Sequence, residues 1–70
     1  MAEQNIAFYV EGITSDESAE TIKNSLTMLN GIAEVIVDIN AKRVAVEYDE
    51  ERISTEIIRG TIEDAGFEVK

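Results

Sequence analysis

The residues able to do chemistry gather in one short stretch, where Thr14, Ser15, Asp16, Glu17, Ser18 and Glu20 follow Gly12 and Ile13. Carboxylates and hydroxyls at this density are hard oxygen donors of the kind Ca(II), Mg(II) or Mn(II) prefer. Asp16, Glu17 and Glu20, helped by Ser15 and Ser18, are therefore the candidate weak ligands for a hard cation. A simpler explanation competes with that one. Thr14-x-x-Glu17 has the spacing of a capping box, and acids in a first helical turn oppose the helix dipole with or without an ion. A dedicated calcium loop would also place oxygen donors at more alternate positions than this segment offers.

Other chemistry is closed by composition. With no cysteine and no histidine, there is no thiolate or imidazole ligand, no disulfide framework and no Ser-His or Cys-His nucleophile. Paired-carboxylate catalysis has little support, because the acids are scattered and a 70-residue chain offers few deep pockets. The expectation is a non-enzyme. Fifteen acids against six bases give a net charge of −9. Such a surface repels phosphate and lacks the basic clusters that nucleic acids and anionic membranes require. No apolar run is long enough for a membrane span and the start carries no signal-peptide pattern, so a cytoplasmic location without direct membrane insertion is expected. One domain over residues 1–70 fits this length. A domain of this size buries only about 60% of its unfolded surface, so its core must be economical.

The elements that position the loop follow from periodicity. Asn5 to Glu11 alternates, with Ile6, Phe8 and Val10 on one face, and predicts a half-buried strand. From Ser15 the period becomes helical, with Ala19, Ile22, Leu26 and Leu29 in one stripe that Asn30-Gly31 should stop. Val35, Val37 and Ile39 alternate next, and Asn40 to Lys42 join them by a short hairpin connection to Val44, Val46 and Tyr48. Asp49 to Arg52 is a polar link. Ser54 should cap a second helix with Ile53 and Ile58 as a hydrophobic staple, Ile58, Ile62 and Ala65 as its buried stripe, and Gly66 at its end. Gly60, inside that helix, either permits close packing or is tolerated. Phe67 to Val69 makes a short last strand, and only the first four residues read as frayed. Tyr9 and Tyr48 are expected in the sheet, and Met28 as core or boundary filler. The order β-α-β-β-α-β, with two echoing halves, predicts an α+β ferredoxin-like sandwich: a four-stranded antiparallel sheet with both helices on one face.

The segment Gly12-Ile13-Thr14-Ser15-Asp16-Glu17-Ser18 resembles the metal loop of the heavy-metal-associated domains, which reads G-M-T-C-x-x-C. That family includes copper chaperones, mercury-binding proteins and the N-terminal modules of metal-pumping P-type ATPases. The resemblance extends through Val10-Glu11-Gly12, Leu26, Leu29, Gly31-Ile32, Val35, Val37, Tyr48-Asp49, Ile58, Ile62 and Ala65-Gly66-Phe67. It implies Ser15 and Ser18 at the two ligand positions, Ile13 at the methionine, and Gly12, Ile13, Thr14 and Phe67 as loop support. In the family two cysteines hold Cu(I), Zn(II) or a similar soft ion. Serine hydroxyls are hard and neutral near pH 7, so no such cofactor is expected here.

Two origins account for the exchange: natural decay of the site, or a metal-binding and transfer domain whose cysteines were replaced by serine through engineering. The acidic pair Asp16-Glu17 favours the natural one. Phe67 stands where copper chaperones often carry Tyr and ATPase modules Phe, which by resemblance favours an ATPase-type or mercury-binding relative. The acid run Glu47, Asp49, Glu50, Glu51 is either a solvated strand end or a docking face. The function expected is a monomeric protein-interaction or regulatory module linked to metal transport, with a protein partner that presents a basic face.

Overall fold

The computed structural model describes residues 3–70. Six elements follow one another as β1 (Glu3–Glu11), α1 (Asp16–Thr27), β2 (Ile32–Asp38), β3 (Arg43–Asp49), α2 (Thr55–Asp64) and β4 (Glu68–Val69). The four strands lie in the order β2-β3-β1-β4, and every neighbouring pair is antiparallel. Each helix thus crosses over one intervening strand, which is the ferredoxin-like arrangement expected.

Alternation decides which face is covered. Val10, Val35, Val44, Val46, Tyr48 and Val69 turn to one side of the sheet, where Ile22 and Leu26 of α1 and Ile58 and Ile62 of α2 close a single core. No buried polar or charged side chain interrupts it among the described residues. Both helices occupy this face. Ile53 and Ile58 are both buried in that core, and Ser54 caps α2 by accepting a hydrogen bond from the Ile57 N–H, so the cap and staple stand where the spacing put them.

Several boundaries differ from the sequence reading. Glu3 and Gln4 are not frayed: they pair with Asp49 and Tyr48 of β3, and only Met1 and Ala2 lie outside the described residues. Helix α1 ends at Thr27, with Met28 as its C-cap, rather than at Asn30-Gly31. The Leu29 N–H already bonds the Leu26 carbonyl at 3.0 Å, a tightened turn that ends the ladder early. Met28 is 85% exposed. It lies two residues past Leu26, roughly 200° around the helix, and so turns away from the buried stripe. Ile39 falls beyond the end of β2, and β4 holds Glu68 and Val69 without Phe67. Gly60 is tolerated, since a Cβ there would meet no heavy atom within 4 Å.

Gly31 has a stricter role. Its φ of +102° lies in the left-handed region, and a Cβ would sit 2.9 Å from that of Arg52 and 3.1 Å from Ile53 Cγ2. The backbone must pass this close because the Asp49 N–H bonds the Gly31 carbonyl at 2.8 Å, tying the start of β2 to the end of β3.

Candidate functional site

The loop between β1 and α1 is anchored at two points. Ile13 is only 2% exposed and belongs to the core, so it holds the loop down from beneath. At Gly12, φ is +100° and a Cβ would stand 3.3 Å from Cδ1 of Phe67. The aromatic ring preceding β4 therefore packs beside the start of the loop. Thr14 is exposed between these anchors and the helix.

Ser15 begins α1. Its backbone is extended (φ −153°, ψ 170°), its carbonyl accepts the Ala19 N–H at 3.2 Å, and its Oγ accepts the Ser18 N–H at 3.3 Å. Those are the marks of an N-cap. The Thr14-x-x-Glu17 capping box is accordingly corrected: the cap falls one residue later and Glu17 is not its reciprocal partner. The physical reason lies in Ile13, whose burial fixes where the chain leaves the core and makes Ser15 the half-helical residue. Asp16 and Glu17 do occupy the first turn, near the positive end of the helix dipole.

The Oγ atoms of Ser15 and Ser18 approach to 3.4 Å. Two sulfurs bound at about 2.3 Å to one tetrahedral zinc stand roughly 3.8 Å apart. The two donors here are neutral hydroxyls close enough to hydrogen-bond to each other, and they have little affinity for a soft ion. The acids beside them separate. Asp16 and Glu20 face the groove between α1 and β2, whereas Glu17 is not among the residues lining it. Among the described residues, no group of three or more His, Cys, Asp or Glu side chains is placed to hold a metal ion.

The groove itself was not foreseen. Its walls include Lys23 of α1 and Ile36 of β2, and the available signal was the run Val35-Ile36-Val37, where an apolar Ile36 falls on the polar phase of the alternation. Among the described residues no helix is long and apolar enough to cross a membrane.

Comparisons with known proteins converge on one family. The model for "Heavy-metal-associated domain" matches residues 7–68. The chain is 38% identical over 66 residues to a copper chaperone, CopZ of Staphylococcus haemolyticus (strain JCSC1435), covering 94% of this chain and 97% of that protein. A copper binding domain from the P-type ATPase HMA7 superposes with a TM-score of 0.90 at 30% identity, over 94% of this chain and 89% of that one. A CopZ metallochaperone superposes at 0.94 with 22% identity, over 96% of this chain and all of the other (100%), a likeness of fold. Chaperones and ATPase modules both stand among these relatives.

Proposed function

The chain belongs to the heavy-metal-associated domain family, and from that membership we propose that it is a non-enzymatic member without soft-metal thiolate ligation, acting as a protein-interaction or regulatory module linked to metal transport. The observation that carries the reading is the pair of hydroxyls 3.4 Å apart at the family's ligand positions. The loop keeps the anchors a metal site needs, with Ile13 buried and Phe67 against Gly12, but not the charge or softness of its donors. Such a site presents a shape and a surface without a cargo. Relatives described as copper chaperones and copper-transporting ATPases support copper handling as the system this domain serves. We assign it to the cytoplasm as a monomer, with a protein partner that offers a basic face to its −9 charge.

Metal competition tests this directly. The unmodified chain should not take Cu(I) or Zn(II) from a chelator any better than scattered surface carboxylates do, while the variant with both Ser15→Cys and Ser18→Cys should form a 1:1 complex. A tight 1:1 complex with the unmodified chain would refute the reading. Failure of the double variant would show that more than two ligand atoms had been lost.

A further inference from the structure

We propose that the free edge of β2, with the groove between it and α1, receives an extended basic segment of a partner protein as a fifth strand of the sheet. The inference rests on the interaction reading above and gives it a place and a chemistry. Among the described residues strand β2 ends the sheet and pairs only with β3, so the outward N–H and carbonyl groups of Ile32–Asp38 have no strand partner there. The opposite edge, β4, is two residues long and offers too little to pair with. Edges of this length are ordinarily defended by proline, lysine or a covering element. The sequence Ile32–Asp38 holds neither proline nor lysine; a register irregularity between Ile32 and Glu34 interrupts its start, and its charges are the acids Glu34 and Asp38, which repel an acidic strand and admit a basic one.

Space for a fifth strand is present on both sides of that edge. On the helix side runs an open groove of about 450 Å³, with Ala19 of α1 and Val35 and Val37 of β2 among the residues lining it. An added strand would lay alternate side chains into this space. On the helix-free side Ile36 is 58% exposed, beside a shallow depression of about 70 Å³ that shares Glu34 and Ile36 with the groove. The other set of side chains would cover it. One face of the incoming strand thus meets the acidic and apolar lining of the groove, and the other meets the apolar contact at Ile36.

Charge chooses the occupant. Asp16, Glu20 and Glu34 line the groove against the single base Lys23, so a segment alternating Lys or Arg with aliphatic residues is complementary in sign and period. A second copy of this chain is not. Two molecules at −9 repel, and β2 meeting β2 antiparallel would set the same acids against each other.

The probe is a synthetic capped peptide, Lys-Leu-Lys-Val-Lys-Leu-Lys, added to isotope-labelled protein and followed by NMR, with an acidic peptide in which Glu replaces Lys as control. Saturable shifts should concentrate at Glu34 to Asp38 and Asp16 to Lys23, β2 amides should gain protection from hydrogen exchange, and the acidic peptide should do neither. The double variant Glu20→Lys, Glu34→Lys should bind the basic peptide roughly tenfold more weakly with an unchanged fold by amide dispersion. Three results would overturn the assignment: no saturable binding, shifts centred on Gly12 to Ser18 or on β4, or a concentration-dependent dimer closed through β2 in the absence of peptide. Shifts at another face would remove this site and leave the interaction reading standing, whereas metal competition decides the loss of ligation separately.

Discussion

The Ser15 hydroxyl caps helix α1. It takes the Ser18 N–H, one of the donors that a helix start leaves unpaired, and Ser is among the residues that serve best there. Serine at this position therefore supplies the cap that α1 needs. Ser15→Ala should cost about 1 kcal/mol, read as a lower urea midpoint with an unchanged slope. Ser18→Ala should cost clearly less, because Ser18 contributes its backbone N–H to the cap, which the substitution keeps. Glycines separate in the same assay. Gly60→Ala should stabilise by about 0.5–1 kcal/mol, since the helix gains propensity and the Cβ meets open space, whereas Gly31→Ala should destabilise through its positive φ and its approach to Arg52 and Ile53. At this scale residue types were legible and exact roles were not. Thr14 and Ser15 are both able caps, and the choice between them was made by the burial of Ile13, a tertiary fact that no local spacing contains.

Strand alternation explains why most elements were readable, and the sheet explains what was not. Period-2 runs mark β1, β2 and β3 because one face is buried and a slip of one residue would invert it. The neighbour relations come from packing, and they bring together charges that lie far apart in sequence. On the helix-free face Glu3 opposes Asp49, Glu11 opposes Glu68 and Glu34 opposes Glu47. Like charges directly across a ladder are unfavourable. Two of these pairs have a base in reach, with Lys42 Nζ 3.8 Å from Glu11 and Arg52 Nε 3.4 Å from Asp49. Neither Glu34 nor Glu47 takes part in the ion pairs found among the described residues. Glu47→Lys should therefore raise stability by about 0.5 kcal/mol, and the gain should shrink in high salt. A drop in stability on substitution would mean that Glu47 is satisfied in a way its cross-strand register does not express. The pairing also places the acid run read from the sequence. Glu47 and Asp49 share the helix-free strand face, Asp49 accepts the Glu51 N–H at 2.9 Å and pairs with Arg52, and Glu50 and Glu51 are exposed in the link that follows.

A charge of −9 held within a Cα radius of gyration of 11.0 Å acts on the whole molecule in two opposing ways. It drives self-repulsion in the compact state, and it draws in a partner of opposite sign. The Debye length is about 10 Å at 0.1 M ionic strength, close to the size of the domain, so ordinary salt concentrations span the range from weak to strong screening. Salt has little attraction to weaken, since the ion pairs are surface ones, from 3.4 to 3.8 Å and largely exposed, each worth at most about 1 kcal/mol. Repulsion among the excess acids should dominate, and the urea midpoint should rise between roughly 10 mM and 0.5 M sodium chloride. Association with a basic segment should move the other way, its on-rate falling tenfold or more over the same interval. Opposite signs in paired titrations of stability and binding would assign both effects to the net charge. A midpoint that falls with salt would instead give the dominant role to the exposed ion pairs.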